Sequence, residues 1–509
     1  MDGLLAFANG FHSLMHTPML WLLIFSGCFF GIVFGAIPGL TGALAVTLLL
    51  PFTYSMTPEA GLTLLVSVYV GAISGGLISA ILLNIPGSPA AVCTVFDGAP
   101  MARKGRANDA LLIGVFSSVV GGIFSGFCLI VIAPLLAKIA LIFGSWEYFA
   151  MGVMGLCVVV SLCAKDRVKG FMSAIVGLLL AIVGMDPVSS VNRLTFGQWQ
   201  LGAGLALLPT LMGLFALAEV LNQLKTAHQE PKAVEFTKMA WWPRKGLLKD
   251  TGKTMGVGAL IGTFIGILPG VGSTTASMLS YTQAQQTSKN PEKFGTGCEE
   301  GIVASEVANN AVCGGALIPM MALGVPGDLI TAVMLGALVV HGIQPGPQLF
   351  STGGELVGVI FFSYIVANIV MYFQMMVSMR TFVRLLKVPL NYLLPLILLM
   401  CVVGAITTNN RIFDAWTLFV IGVVGYMLLC CNFAVAPMVL GFILGPMVES
   451  NFRTAVIAGQ GSVMGFFSHP IAVGLVTFGL LMVFLDLIRE LLKKKKKRDQ
   501  VKQPSNNEA

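Results

Sequence analysis

From residue 19 to residue 488 the sequence is a near-continuous succession of long apolar runs separated by short polar stretches. A run of about 20 apolar residues crosses the hydrocarbon layer as a helix. In that layer only helices and closed barrels satisfy every backbone N–H and C=O. These runs are too long and too continuous for barrel strands. Composition agrees: 56% of the 509 residues are hydrophobic and 10% are charged, against roughly 25% charged in soluble domains. The expected fold class is an all-α, polytopic integral membrane protein embedded in a lipid bilayer.

The net charge of +7 comes largely from Lys493–Lys497 and Arg498. The remainder is near neutral, so no basic face for nucleic acid exists. The cysteines, such as Cys28, Cys128, Cys157 and Cys401, lie mostly within apolar runs and lack paired metal-ligand spacing; they read as small packing residues. Walker A, GxSxG, HExxH and dinucleotide fingerprints are absent, which disfavours ATP-driven transport, an enzyme and an organic cofactor. The first residues lack a positive n-region, so no signal peptide is expected.

Lys and Arg bias sets orientation. Basic clusters at Arg103–Arg106, Lys165–Lys169, residues 222–253, Arg380–Lys387 and the lysine tail are assigned to the cytoplasm. The Lys/Arg-poor loops at residues 144–147, 185–200, 407–411 and 451–468 are assigned outside. Alternation then places the N-terminus outside, the periplasm of a bacterial inner-membrane protein, and the C-terminus in the cytoplasm, as expectations.

The two halves repeat a pattern. Gly31–Gly39 ends Gly35-Ala36-Ile37-Pro38-Gly39, and Gly262–Gly270 ends Gly266-Ile267-Leu268-Pro269-Gly270. Gly75-Gly76 precedes Asn84-Ile85-Pro86-Gly87, just as Gly314-Gly315 precedes Gly324-Val325-Pro326-Gly327. With the charge-based orientation, the halves are expected to be inverted-topology repeats, a secondary-transporter signature. The expected organisation is a first repeat at 1–221, with a substrate-core part at 1–109 and a scaffold part at 110–221. A cytoplasmic linker follows at 222–253. The second repeat runs 254–449, with parts 254–350 and 351–449. An outer loop and extra helix occupy 450–488, and a basic tail 489–509. Within 19–96 and 254–340 the helix count stays open between three spans and one span plus two broken or re-entrant pieces.

A Pro-Gly pair at membrane depth breaks a helix. The freed backbone must line a cavity or be buried in protein, and a half-helix starting after the break points N–H groups at that cavity. Four such pairs occur, at 38–39, 86–87, 269–270 and 326–327. The candidate substrate-binding residues are Gly39, Thr41, Asn84, Gly87, Ser88, Gly270, Gly272, Ser273, Thr274, Asn310 and Gly327. The segments after Pro38-Gly39 and Pro269-Gly270 are expected to face one another. Asn309, Asn310 and Asp328 are candidate sodium ligands; Asp328 serves equally well as a helix cap. Glu306 and Asp97 are further intramembrane carboxylates able to hold a cation or a proton. Glu299-Glu300 suits water or a helix N-terminus.

Several longer stretches resemble the large membrane subunit of the tripartite tricarboxylate transporters. They are Gly35–Thr41, Asn84–Ser88, Asp97–Arg106, Phe294–Gly297, Glu300–Ala311, Gly324–Gly327, His341–Pro347 and Leu440–Glu449. The resemblance covers residues 1–490. It implies carboxylate uptake of the citrate kind across the bacterial inner membrane, driven by an ion gradient, usually sodium. It also implies a small integral membrane subunit and a periplasmic substrate-binding protein as partners. Two stretches depart from the family pattern. Gln283–Lys289 follows Tyr281 where basic residues are expected, and Ser468-His469-Pro470 stands in place of Arg-Pro. Both are expected in loops, where they bear on partner contacts. Rival readings are a passive organic-anion channel, a proton-coupled carboxylate permease, and a non-transporting scaffold or sensor. A channel would carry rings of Lys or Arg at membrane depth, and none is present.

Overall fold

Small residues at every fourth position decide how the chain packs. The computed structural model describes residues 3–161, 167–186, 188–224, 240–386 and 388–484. Residues 225–239 of the expected linker, part of the 165–169 basic cluster, and the lysine tail lie outside the described residues. The first half contains α1 (Gly3–His16), α2 (Pro18–Ala36), α3 (Gly42–Thr53), α4 (Pro58–Leu82), α5 (Val92–Met101) and α6 (Ala107–Ala140). It continues through α7 (Ser145–Ser161), α8 (Arg167–Ala181), α9 (Leu207–Met212) and α10 (Ala218–Gln223), the last two joined by a π-helical turn. The second half contains α11 (Leu247–Ile267), α12 (Gly272–Thr287), α13 (Glu299–Leu323), α14 (Leu329–Val340), α15 (Gln348–Thr352) and α16 (Gly354–Leu385). It continues with α17 (Leu390–Asn409), α18 (Ile412–Cys430) and α19 (Val435–Ala458), and a further helix at Pro470–Phe484 lies within the expected 450–488 segment. Strand structure among the described residues is one two-residue pairing, Gly184–Met185 with Asn192–Arg193.

Eight helices among the described residues are long and apolar enough to cross a membrane, so the all-α polytopic expectation is met. The apolar region 19–96 resolves into two such helices, α2 and α4, with the shorter α3 between them. Sequence reading missed α1, whose Asn9, His12, Ser13 and His16 share one polar stripe and interrupt the apolar run along the sequence. It packs on α16 through Phe7, Phe11 and Phe362. A second correction concerns Gln283–Thr287, which forms the last turns of α12 and not a loop. Gln and Ala are competent helix formers, and polarity alone does not end a helix.

Gly27, Gly31 and Gly35 of α2 abut Leu64, Val68 and Ala72 of α4, so these helices run parallel at backbone contact. Gly258, Gly262 and Gly266 of α11 meet Ala304, Ala308 and Val312 of α13 in the same manner. Small residues are what allow such close approach, and packing contacts hold helices together where lipid offers no hydrophobic drive. The halves also exchange neighbours. α6 packs along α13, and α16 packs along α4. α19 packs on α7 and α8, while the α9–α10 segment packs on α17 and α18. The helices α4 and α13 are buried over their whole apolar windows.

Polar clusters gather the expected inner and outer loops separately. Glu299 pairs with Arg106 and Arg244 at 2.8 Å each, and Lys104 donates to the Thr296 carbonyl at 2.7 Å. Acids in the first turn of α13 suit its N-terminus. Elsewhere Asp186 accepts from Arg453 at 2.6 Å and Arg193 binds Glu449 at 2.6 Å. The Arg453 guanidinium, helped by the backbone N–H of Val188, holds the Asp186 carboxyl well below the usual range.

Candidate functional site: crosswise helix breaks beside a buried carboxylate

Each expected break is real. Gly39 has φ +90° and Gly270 φ +76°, the left-handed conformation that favours glycine. The Gly39 carbonyl accepts from Gln223 Nε2 of α10. The Gly270 N–H donates to the Gly327 carbonyl at 2.7 Å, tying both breaks of the second half together. Gly87 sits against the carbonyl of Gly35, and Gly327 against that of Gly266, leaving no room for a side chain at either.

The short helices pair crosswise. α3, which follows Pro38-Gly39, packs on α14, which follows Pro326-Gly327. α12, which follows Pro269-Gly270, packs on α5 and the single 3₁₀ turn Pro89–Ala91 behind Pro86-Gly87. Contact between α3 and α12 themselves is marginal at most. The facing pairs thus join the first break of one half to the second break of the other.

The two pairs differ in their capping. Thr41 caps α3 by accepting from the Leu44 N–H at 3.2 Å. Asp328 caps α14 in a full capping box: its Oδ1 accepts the Thr331 N–H at 2.8 Å, and Thr331 Oγ1 accepts the Asp328 N–H at 2.9 Å. Tyr69 donates to Asp328 Oδ2 at 2.5 Å. Asp328 therefore has both oxygens engaged, Oδ1 in the cap and Oδ2 with Tyr69 of α4. In the other pair, α12 opens on Gly272-Ser273-Thr274 with no side-chain cap. At the start of the turn that packs on α12, Ser88 is 6% exposed; its Oγ lies beside Gly76 of α4 and has no hydrogen-bond partner among the described residues. Open N–H groups and a free hydroxyl form an anion-receiving surface. Asn84 stands apart, exposed in a left-handed turn.

A cluster of buried polar side chains lies one step deeper. Glu306, fully buried on α13, accepts from Thr94 of α5 and from Ser118 of α6 at 3.0 Å. Asn310 Nδ2 reaches Glu306 Oε2 at 3.4 Å and Asn309 Oδ1 at 2.5 Å, while Ser74 donates to Asn310 Oδ1 at 2.7 Å. Asn309 donates to the Ala90 carbonyl at 3.4 Å, inside the turn behind Ser88. Sequence reading picked out Glu306 and both asparagines but missed Thr94, Ser118 and Ser74. Single hydroxyls in apolar helices look like packing residues until a partner chain segment is placed beside them.

Asp97 belongs elsewhere. It accepts from Tyr281 at 2.7 Å and from the N–H groups of Gly297 and Cys298 at 2.8 and 2.7 Å, joining the halves near the basic loops. Two clefts open elsewhere among the described residues. One, of about 910 Å³, reaches Gly324 between Leu323, Arg193, Glu449 and Asn451. The other, of about 950 Å³, lies along α11 and α12 and carries Lys249, Lys253, Lys289 and Lys293.

Comparison with known proteins fits this arrangement. An uncharacterized 52.8 kDa protein in the TAR-I ttuC' 3'region of Agrobacterium vitis is 34% identical over 501 residues, covering 98% of this chain and 99% of that protein. An uncharacterized protein in the TAR-II ttuC' 3'region of the same organism is 35% identical over 240 residues, covering 47% of this chain and 98% of that protein. No solved structure matches. Residues 21–440, which hold all of the breaks and the buried carboxylate, match the family described as "Tripartite tricarboxylate transporter TctA family", and to that family of multi-pass membrane transport proteins the chain belongs.

Proposed function

We propose that this chain is the transporting subunit of a secondary active importer of citrate-like di- and tricarboxylates across the bacterial inner membrane. Sodium drives it, a periplasmic binding protein supplies it, and a small membrane subunit completes the assembly. The observation that carries this reading is the open pair: uncapped N–H groups of Gly272, Ser273 and Thr274 on the helix that packs against the turn opened by Ser88, whose hydroxyl has no partner among the described residues. A substrate with several carboxylates needs several donors, which one helix end does not supply. Gly270, Gly327, Gly87 and Gly39 hold the backbone at the breaks, and Thr41 closes the neighbouring pair. Asn84 lies at the rim, whereas Asn309 and Asn310 belong to the cation side of the site.

The repeats are read as inverted. Along the equivalent helices α4 and α13, Ser74 meets Asn310 while the earlier Tyr69 lies beside the later Cys313, an order that suits opposite directions. The Arg106–Glu299–Arg244 cluster then faces the cytoplasm and the Asp186–Arg453 cluster the periplasm. The lysine-lined cleft becomes the inner vestibule, and the other becomes the entrance.

Uptake of labelled citrate into proteoliposomes holding the full chain and its membrane partner, with the periplasmic binding protein outside, tests the reading. Accumulation above the outside concentration with a sodium gradient is expected, with none when the gradient is removed. Downhill flux that ignores sodium would identify a channel. A thermal-shift screen of di- and tricarboxylates names the substrate.

A further inference from the structure

We propose that Glu306, ringed by Thr94, Ser118 and Ser305, is the binding site of the coupling ion, and that the site selects a sodium-sized monovalent cation. The inference deepens the reading as a sodium-driven transporter and rests on it. Glu306 is fully buried, on a helix whose apolar window is wholly buried. Among the described residues it has no Lys, Arg or His partner. A buried, unpaired carboxylate is costly, and such groups inside membranes are paired or mark an ion path. The helix terminus that offsets Asp328 is absent here, since Glu306 lies two turns inside α13.

The surroundings are those of a hard-cation site. Thr94 Oγ1 lies 3.2 Å from Ser305 Oγ and also bonds Glu306. Ser118 Oγ approaches the second carboxylate oxygen at 3.0 Å. Hydroxyl groups rotate freely between donating and accepting, so each can turn a lone pair toward an ion. All of these donors are oxygen, which excludes a preference for soft metals. One carboxylate supplies one negative charge, and no group of three His, Cys, Asp or Glu residues stands together among the described residues. That balance suits a monovalent ion and leaves a divalent one undercompensated. The ligands come from α5 and α6 of the first half and α13 of the second. Asn309 then connects the cluster to the Ala90 carbonyl behind Ser88, so ion and carboxylate sites share one turn of backbone.

The test is the melting temperature of the purified full chain, without carboxylate, titrated with NaCl against KCl and choline chloride at constant ionic strength. A saturable rise specific to sodium is expected. Glu306→Gln should abolish it. Thr94→Val and Ser118→Ala should each raise the half-saturating sodium about tenfold. Asp328→Asn should lower the baseline and leave the half-saturation unchanged. An unaltered sodium response in Glu306→Gln overturns the assignment. So does a wild-type chain that ignores sodium but is stabilised by acid in a step that Glu306→Gln removes, because the group then carries a proton. Should Glu306→Gln not fold, unchanged half-saturation in both hydroxyl variants overturns it equally. Because no carboxylate is present, a wrong substrate assignment leaves this outcome untouched.

Discussion

The two crosswise pairs share a plan and differ at their mouths. α3 and α14 meet N-terminus to N-terminus, with Gly42 against Ile330, and both ends are capped by their own side chains. α12 meets the Pro89–Ala91 turn with neither end capped. A capped end has already spent its donors, and at Asp328 it also carries a negative charge that repels an anion. An uncapped end keeps its donors for a ligand. In the proposed transporter the two pairs, made from equivalent segments, divide the work: one joins the halves, and the other is assigned to the substrate. The difference lies in the residues just after each break: Thr41 and Asp328 cap their helices, whereas Ser88 and Gly272-Ser273 leave theirs uncapped.

The largest expected effect separates the pairs outright. Gly270→Val forces a β-branched residue to positive φ and drives its side chain into Val159. It also displaces the N–H that holds Gly327. Uptake should vanish, and carboxylate affinity should fall more than about 100-fold, the equivalent of ~2.7 kcal/mol. Gly39→Val strains the other pair and crowds Gln223. It should also abolish uptake, yet carboxylate binding to the folded protein should stay within about threefold, ~0.65 kcal/mol. Both variants should reach the membrane. Normal affinity in Gly270→Val removes the open pair from substrate binding and returns its break to a kink.

A smaller effect sharpens the closed pair. Tyr69→Phe removes a hydrogen bond to a buried charged cap, which is worth about 1.5–3 kcal/mol. Unfolding of the purified protein should shift by that amount, with carboxylate affinity unchanged. A Tyr69→Phe protein of normal stability but weakened carboxylate binding would reverse the roles assigned to the two pairs.

Much of this was legible from sequence, and the remainder has physical reasons. Lengths of apolar runs report burial in lipid directly, so the regions holding α2 through α19 emerge from hydropathy. Pro-Gly pairs mark breaks because backbone sterics there are local. The partner of each short helix is not local: it depends on how α6 and α16 cross into the opposite half, which no pattern within one segment encodes. Asp328 illustrates the limit. Its position directly after a break suits a cap and an ion ligand equally, and only the placement of Tyr69 and Thr331 around it settles which oxygens are free. Thr94 and Ser118 are the converse case. They carry no signal as isolated hydroxyls and gain meaning once folding places Glu306 between them.

The finest test compares single hydroxyls. Ser88 and Ser273 line the open pair, whereas Thr41 closes the other. Ser88→Ala and Ser273→Ala should each weaken carboxylate binding by one neutral hydrogen bond, about 0.5–1.5 kcal/mol, or roughly 2- to 13-fold. Neither should cost much stability: Ser88 Oγ has no partner among the described residues, and Ser273 caps nothing. Thr41→Ala should do the opposite. It deletes a cap and lowers stability by about 0.5–2 kcal/mol, while affinity moves little. Paired thermal and binding titrations on the three variants read both quantities from one preparation. Should Thr41→Ala weaken binding as strongly as Ser88→Ala, the cap on α3 opens when substrate arrives, and both pairs would contribute donors to the carboxylate.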